Sequence, residues 1–142
     1  MVSLTGGEPL VRKDLPLLIR EMHKRGIHVT QLYTNGFLLT DDILDLMEDD
    51  GRMPDIIISF DGVGCHDWMR GVPGAEKMAI HAMEICQHRN VHVILTMCLH
   101  KGNIASIADT VHLAVQKGVR VLRLCMTDDI SGFSAKNGIE LL

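Results

Sequence analysis

Aromatic residues are scarce in this sequence and basic charge is not in excess, and each shortage narrows what the chain can be. Phe, Trp and Tyr together make up 4% of the residues, so the core must be built from aliphatic side chains, with methionine filling irregular gaps. The formal net charge is −4, which gives no basic surface for a phosphate backbone. We therefore expect no nucleic-acid partner.

Long apolar runs are also missing. No hydrophobic stretch approaches the roughly 20 residues that span a bilayer. The N-terminus lacks the succession of basic, apolar and small residues that marks a signal peptide. We therefore expect no membrane partner and a cytoplasmic location. The chain has 142 residues, of which 46% are hydrophobic and 23% charged, and this is enough for one globular domain with a substantial core.

Closely spaced cysteines are a third absence. The four cysteines are Cys65, Cys86, Cys98 and Cys125, and their spacing contains no Cys-x-x-Cys pair and no metal-binding pattern. We interpret the last three as small, mostly buried thiols in a reducing compartment and expect no disulfide. Cys65 and its neighbour His66 lack a third ligand, so the sequence predicts no metal site in this chain.

The chain does contain a regular alternation of strand and helix patterns. Five segments have the length and composition of strands: 2–4, 27–33, 55–60, 91–97 and 119–125. The run Ile56-Ile57-Ile58 does not alternate with polar residues, which predicts a strand buried on both faces and hence a parallel sheet. Helices between parallel strands give an α/β fold with right-handed crossovers. Periodicity alone does not separate an open doubly wound sheet from part of a (β/α) barrel.

Four helices are predicted between the strands. Asp14, Thr40 and Asn103 are residue types that cap helices, and they mark the starts of the first, second and fourth helix. The third helix begins near Ala75. Helical spacing predicts buried stripes made of Ile43, Leu46 and Met47 in the second helix, of Ala75, Ala79, Ala82, Met83 and Cys86 in the third, and of Ile104, Ile107, Ala108, Val111 and Val115 in the fourth.

Two segments have no such periodicity. Residues 61–74 are predicted as one long loop, and loops of this length in compact domains are usually functional. His66 and Asp67 are candidates for orienting it. Residues 129–142 contain little pattern and are predicted as a loop or a frayed C-terminal end, which leaves residues 1–128 as the core domain.

Polar loops follow three of the predicted strands. Gly6-Gly7-Glu8-Pro9 follows the first, Thr34-Asn35-Gly36 the second and Ser59-Phe60-Asp61-Gly62 the third, and the segment 66–74 comes next. Adjacent glycines let the backbone turn sharply, and proline keeps the residue before it out of the helical region. The carboxyl ends of parallel strands meet at one edge, where α/β folds bind their ligands. We therefore expect Glu8, Asn35, Ser59 and Asp61 at that edge.

In this order, the motifs resemble those of the radical SAM enzymes, in particular the branch that often carries a C-terminal auxiliary-cluster domain. The resemblance extends over residues 5–103. It implies a partial (β/α) barrel, in which the predicted strands match the second to the sixth of the family. It also implies S-adenosylmethionine (SAM) and a [4Fe-4S] cluster as cofactors, which generate a 5′-deoxyadenosyl radical for hydrogen abstraction. A small-molecule or peptide substrate, in peptide modification or cofactor maturation, and an electron donor such as flavodoxin or ferredoxin are further implications.

The resemblance also implies which residues contact SAM. They are strand-end and loop residues, namely Gly6, Gly7, Glu8, Pro9, Asn35, Ser59, Asp61, Arg70 and Leu124. The Gly-Gly-Glu-Pro loop is placed beside the SAM ammonium, and Arg70 near its carboxylate. The alternatives are that Asn35 and Asp61 bond only their own loops, and that Leu124 is a core residue rather than an adenine contact.

The sequence departs from the family in one respect. Family members hold the cluster with three thiolates in a Cys-x-x-x-Cys-x-x-Cys loop after their first strand, and this sequence contains no such loop. We therefore expect an N-terminally truncated part of a longer radical SAM enzyme, inactive by itself. Two alternatives stay open: a cluster-less, non-catalytic module that binds an adenosyl ligand, and an unrelated βα-barrel enzyme with Glu8 and Asp61 as acid and base.

Overall fold

The order of the strands distinguishes an open doubly wound sheet from part of a (β/α) barrel. The computed structural model describes residues 1–49, 51–126, 136, 138, 140 and 141. Within these residues one parallel sheet contains β1 (Val2–Leu4), β2 (Val29–Thr34), β3 (Asp55–Ser59), β4 (Val93–Leu99) and β5 (Val121–Met126), side by side in chain order. A doubly wound sheet reverses its order at a switch point, whereas a (β/α) barrel does not. The predicted partial barrel is confirmed, and the sheet is not closed.

Helices connect the strands in the predicted alternation. They are α1 (Leu15–Lys24), α2 (Asp41–Met47), α3 (His66–Arg70), α4 (Ala75–His88) and α5 (Ile107–Gln116), with short 3-10 turns at Pro9–Val11 and Ile104–Ser106. The four predicted helices correspond to α1, α2, α4 and α5. The prediction of a continuous loop over 61–74 is wrong, because α3 lies inside it. A helix of five residues is too short to leave a periodic pattern in the sequence.

The segment around α3 is held by side chains that cap backbone groups. Gly71 ends the helix in the left-handed region, at a φ of 64°. The Asp67 carboxylate then accepts the N–H groups of Gly74 and Glu76, at 2.6 and 2.7 Å. The prediction that Asp67 orients this segment is confirmed. Both bonds favour the ionised carboxyl, and they lower the pKa of Asp67 below its ordinary value.

The central strand is buried on both faces, as its continuous apolar run predicts. Ile56 and Ile58 belong to the hydrophobic cluster under the helices. Ile57 lies outside that cluster, in register with Ile94 of the next strand. All three isoleucines of β3 have no exposed surface. Because side chains alternate along a strand, the sheet has a helix-covered face and a second face that is apolar at this level.

The predicted buried stripes are right for one helix and wrong in part for two. Ala75, Ala79, Ala82, Met83 and Cys86 of α4 are all fully buried. In α2, however, Leu44 is fully buried and Leu46 is 50% exposed. Several apolar residues lie close together in this short helix, so the sequence is compatible with more than one buried face. In the structure, the face that contains Leu44 packs against the core. An isolated exposed leucine is ordinary on a protein surface.

The face of α5 differs more strongly from the prediction. Val111 and Val115 are 43% and 74% exposed, and Thr110 and Ala114 are buried instead. The Thr110 hydroxyl accepts the Val63 N–H at 3.2 Å and donates to the Ser106 carbonyl at 2.7 Å. A polar residue with both hydrogen bonds satisfied can face the core. Apolar spacing in the sequence therefore pointed to the wrong side of this helix.

The predicted helix caps have different outcomes. The Thr40 hydroxyl accepts the Ile43 N–H at 3.3 Å, so this cap is confirmed. Asp14 occupies the N-cap position of α1, but its carboxylate pairs with Arg12 at 2.7 Å and makes no cap bond. Asn103 as a cap is wrong, because its side chain makes no cap bond to the turn that follows it.

The four cysteines are free thiols in different surroundings. Cys86 is buried on α4, and burial, followed by the charge of Asp41, raises its pKa to about 12. Cys98 and Cys125 are partly exposed, but most of each residue is buried, as predicted. They lie in register on β4 and β5, near the carboxyl ends of the strands.

Two further sequence predictions concern the ends of the molecule and membranes. The predicted loop at 129–142 lies outside the described residues, apart from positions 136, 138, 140 and 141, and so does the domain boundary after residue 128. Among the described residues, no helix has the length and apolar content needed to cross a bilayer.

Gly62, between β3 and α3, generates a testable prediction. Its φ is +113°, and a Cβ there would lie 2.1 Å from the Ser106 hydroxyl oxygen. Gly64 provides a matched control, because its φ is +73° and nothing lies within 4 Å of the corresponding Cβ position. We expect Gly64→Ala to cost about 1 kcal/mol of backbone strain, and Gly62→Ala to cost at least about 2 kcal/mol more. Urea unfolding measures both losses, and equal losses would contradict the predicted clash.

Candidate functional site

The face of the sheet opposite the helices carries side chains in rows, because paired residues of parallel strands point to the same side. One row is mostly apolar and consists of Tyr33, Ile57, Ile94 and Val121. The next row toward the carboxyl ends is polar and consists of Ser59, Thr96 and Arg123. We call this side of the sheet the concave face. Its polar row lies directly below the loops that carry the predicted site.

Side chains from β2 and β5 meet across this face. The Arg123 guanidinium on β5 donates to the Tyr33 hydroxyl on β2 at 3.4 Å. β3 and β4 lie between these two strands, and neighbouring strands are roughly 4.8 Å apart. The two side chains therefore reach towards each other above β3 and β4.

Glu8 joins the first loop to the end of β2. Its Oε1 accepts the Thr34 hydroxyl at 2.9 Å and the Leu10 N–H at 3.1 Å. Its Oε2 accepts the Asn35 N–H at 2.7 Å. A carboxylate has about four acceptor positions, so protein donors use most of them and leave room for about one further donor. The predicted ligand residue thus also fixes the ends of two neighbouring strands.

Asp61 lies at the centre of a second network at the same edge. Its side chain is 1% exposed, and its Oδ2 pairs with the Arg70 guanidinium at 2.8 Å. Its Oδ1 accepts the Cys98 N–H at 3.3 Å. The Asp61 N–H donates to His66 Nδ1 at 3.0 Å, and the same nitrogen lies 3.4 Å from Oδ2. Both partners from the predicted 66–74 segment therefore converge on one buried carboxylate.

The ionisation of Asp61 reflects a balance between opposing effects. Burial is the largest effect and by itself raises the pKa of a carboxyl group. The contact with His66, the charge of Arg70 and the N–H of Cys98 oppose it, and together they hold the pKa of Asp61 below its ordinary value. Asp61 is therefore an anion at neutral pH, which weakens the alternative in which it acts as a general acid.

Asn103 connects the ends of β3 and β4, a role that the sequence did not reveal. It has no exposed surface. Its side-chain amide donates to the carbonyls of Asp61 and Cys98, at 2.9 and 2.8 Å, and accepts the His100 N–H at 2.9 Å. An Asn before a helical pattern reads as a cap in sequence. The strand ends that it contacts lie close to it only in the folded chain.

The remaining predicted residues are placed as follows. Gly6 and Gly7 are exposed in the loop after β1, and Pro9 begins the 3-10 turn there. Ser59 is half-buried at the end of β3. Asn35 accepts the Phe37 N–H at 3.0 Å, in agreement with the loop-bonding alternative. The SAM contacts of these residues remain predictions.

Leu124 is not brought together with the other predicted residues. It is 46% exposed. It alternates with Arg123, so it shares the side of Leu122, which packs against the cluster under the helices. Arg123, its neighbour in sequence, is the β5 residue on the concave face. The charged residue that interrupts the apolar run of β5 was the available signal for this position.

The comparisons with known proteins agree with this geometry. The sequence model of the radical SAM superfamily matches residues 1–114. The chain belongs to the radical SAM superfamily. It is 34% identical, over 99% of its length, to the PqqA peptide cyclase of Ruegeria pomeroyi, of which it covers 37%. It is 32% identical, over 83% of its length, to the AdoMet-dependent heme synthase of Methanosarcina barkeri, of which it covers 34%. The chain thus spans about a third of these relatives.

Solved radical SAM structures show the same fold. Streptococcus suis SuiB bound to S-adenosylmethionine superposes with a TM-score of 0.77 at 15% identity, over 93% of this chain and 31% of SuiB. Archaeal TYW1 superposes with a TM-score of 0.68 at 22% identity, over 88% of this chain and 42% of that protein. At this level of identity the agreement concerns the fold alone.

The radical SAM family implies a [4Fe-4S] cluster, and the cysteines of this chain do not fit it. Three thiolates have to converge on such a cluster. Cys86 is buried on a helix, whereas Cys98 and Cys125 lie on strands and Cys65 lies before α3. Among the described residues, no group of three His, Cys, Asp or Glu side chains could hold a metal ion. No step of the chemistry is therefore derived from cluster ligands in this chain.

The strand-end residues do fit SAM. The amino-acid part of SAM presents an ammonium and a carboxylate side by side. Glu8 keeps acceptor capacity for the first, and the Arg70 side chain is 36% exposed and free to pair with the second. Thr96, the register partner of Ser59, has a buried hydroxyl oxygen without a hydrogen-bond partner in the described part of the chain. The edge thus offers carboxylate acceptors and a guanidinium, and one hydroxyl without a partner lies in the row below.

The lowered pKa of Asp61 predicts how stability depends on pH. The folded-state pKa lies below the ordinary value of 3.8, so ionised Asp61 stabilises the fold above that pH. The contribution is lost as the pH falls through the lowered pKa. We expect Asp61→Asn to unfold at lower urea concentration than wild type at pH 7, and the gap to shrink between about pH 5 and pH 2.

Asp42→Asn, at an exposed position of α2, controls for the removal of a surface charge. Urea midpoints of the three proteins across the pH range give the answer. A gap for Asp61→Asn that stays constant down to pH 2 would contradict a stabilising, ionised Asp61.

Proposed function

We propose that this chain forms the SAM-binding part of a radical SAM enzyme. The observation that carries the proposal is the ion pair between buried Asp61 and Arg70, at 2.8 Å, at the carboxyl edge of the sheet. A buried carboxylate fixes the guanidinium, whose remaining N–H donors are left for a ligand carboxylate. When bound to a reduced [4Fe-4S] cluster, SAM supplies a 5′-deoxyadenosyl radical that abstracts hydrogen from a substrate.

In this proposal each polar group at the edge has one task. The Glu8 carboxylate and the carbonyls of Gly6 and Gly7 accept the ammonium of SAM. Arg70 pairs with its carboxylate, and the Ser59 hydroxyl contributes a further hydrogen bond. Asp61 orients Arg70, because its Oδ2 lies 2.8 Å from the guanidinium while its Oδ1 accepts the Cys98 N–H. The three cluster thiolates come from residues other than the cysteines of this chain.

The relatives support a substrate class. One is named as a PqqA peptide cyclase, and SuiB was solved with its precursor peptide SuiA. Others are named as synthases of heme and as a GTP cyclase. We therefore propose a peptide or a small molecule as substrate, a flavodoxin or ferredoxin as electron donor and a cytoplasmic location.

SAM affinity tests the assigned contacts. We expect Arg70→Ala and Glu8→Gln each to weaken SAM binding about ten- to a hundredfold, because each removes a charge-assisted contact worth about 1.5–3 kcal/mol. Arg25→Ala and Glu21→Gln are matched controls, since these residues pair with each other on the exposed surface of α1. Isothermal titration calorimetry measures the affinities, with circular dichroism as a check of folding. A folded Arg70→Ala protein with wild-type affinity would contradict the assignment.

Reductive cleavage tests the chemistry. After anaerobic treatment with iron and sulfide, and with dithionite as reductant, this chain alone is expected to produce no 5′-deoxyadenosine, because its cysteines do not converge on a cluster. A protein that also carries a Cys-x-x-x-Cys-x-x-Cys segment before β1 is expected to produce it. Product from the short chain would contradict our assessment of its cysteines. Its absence from the longer protein would favour a non-catalytic adenosyl-binding module.

A further inference from the structure

Arg123 is a charge on the concave face that the SAM site does not use. It lies in register with Thr96 of β4 and, through Thr96, with Ser59 of β3. It is half-buried. This row is on the amino-terminal side of the level at which Asp61 and Cys98 meet, so Arg123 lies deeper in the barrel than the Asp61–Arg70 pair. A charged residue at such a depth needs a partner, since partial burial weakens its hydration.

Among the described residues, no carboxylate pairs with Arg123. The Arg123 guanidinium instead contacts the neutral hydroxyl of Tyr33, at 3.4 Å. Hydrogen bonds between nitrogen and oxygen are ordinarily about 2.7–3.2 Å long. This contact is therefore weak and easily exchanged for a charged acceptor. Within the part of the chain that the structure describes, Arg123 has no ion pair with a carboxylate.

The two carboxylates that share the concave side with Ser59 already have partners. Asp55 and Asp61 share the concave side of β3 with Ser59, because they lie at alternate positions. Asp61 is paired with Arg70 at 2.8 Å, and Asp55 lies 3.4 Å from His92 at the amino edge. Neither is in the row of Arg123. The positive charge of Arg123 is therefore left for a group from outside these strands.

The surroundings of Arg123 suit an anion. The Thr96 hydroxyl oxygen beside it is buried and has no partner among the described residues, so its proton can be donated. Ile57, Ile94 and Val121 form the apolar row beneath. An apolar floor lowers the local dielectric constant and strengthens a charge pair above it. One guanidinium with a hydroxyl matches a singly charged carboxylate, whereas a phosphate dianion usually recruits further cations.

We propose that Arg123 and Thr96 bind a carboxylate group of the substrate inside the barrel, with Tyr33 as the contact that Arg123 releases. The proposal rests on the proposed function, because it assumes that the substrate enters the concave face below SAM. The substrate class is a molecule with a carboxylate near the reacting position, such as an amino acid, an acidic side chain or a peptide C-terminus. The guanidinium then fixes that end of the substrate through two parallel hydrogen bonds.

The test uses acetate as the carboxylate probe and acetamide as its neutral counterpart of the same shape. The 142-residue chain is titrated by NMR at constant ionic strength, with chloride exchanged for acetate. The reporters are the Ser59 and Thr96 amides and the Arg123 Nε–H signal. We expect saturable shifts with acetate, none with acetamide, and weaker binding of inorganic phosphate than of acetate. Equal effects of acetate and acetamide, or tighter binding of phosphate, would overturn the assignment of a carboxylate.

Variants separate Arg123 from other cations. Arg123→Gln is expected to weaken acetate binding at least tenfold, and Arg123→Lys to retain part of it, because lysine keeps the charge but not the planar fork. Arg120→Gln is the matched control, since Arg120 starts the same strand region at the amino edge, beside His92. It is expected to bind acetate as wild type does. Wild-type acetate affinity in both Arg123 variants would overturn the proposal.

A SAM titration of the same proteins distinguishes this inference from the proposed function. A loss of SAM affinity in Arg123→Gln as large as that in Arg70→Ala would place Arg123 in the SAM site and overturn the inference. Acetate binding that depends on Arg123, in a chain that does not bind SAM, would reject the proposed function and leave the carboxylate site. SAM binding without acetate binding would reject the site and leave the function.

Discussion

The buried charge of Asp61 is the constraint on which the carboxyl edge depends. Taking a carboxylate out of water is costly unless charges and hydrogen bonds replace its hydration. Here the replacements come from two elements, the Arg70 guanidinium from α3 and the Cys98 N–H from β4, while His66 accepts the Asp61 N–H. Each has to be in place for the charge to be tolerated. The cost of burial therefore fixes the relative positions of a strand end and a short helix.

Polar side chains join the loops of the carboxyl edge to one another. Glu8 joins the loop after β1 to the end of β2, and Asn103 joins the ends of β3 and β4. Strand ends in a barrel leave backbone groups without ladder partners, and these side chains satisfy several of them. The same oxygens and guanidinium that stabilise the edge are then available to a ligand at little further cost in ordering. The hydrogen bonds that stabilise the edge therefore also hold its polar groups in place before a ligand binds.

The parts of this structure that the sequence predicted are those governed by local pattern. Ile56, Ile57 and Ile58 identified a buried parallel strand, and the order of the strand-end motifs identified the edge and the family. Two of the errors, at Thr110 and Asn103, originate in tertiary contacts. Thr110 faces the core because Val63 and Ser106 satisfy its hydroxyl, and Asn103 is drawn away from its helix by two strand ends. No spacing rule encodes partners that are far away in sequence.

Strand parity distinguishes Leu124 from its neighbour Arg123. The adenine contact of Leu124 stays a prediction, and a shift of one residue along a strand moves a side chain to the other face. The residue on the concave face is Arg123, and its chemistry differs entirely from that of leucine. The guanidinium groups of Arg70 and Arg123 differ in the charge of the group that each one contacts. One is paired with a buried carboxylate and the other contacts a phenol. A paired guanidinium adds an oriented donor without a new net charge, whereas an unpaired one adds a full positive charge to the barrel. We therefore propose different ligands for the two groups.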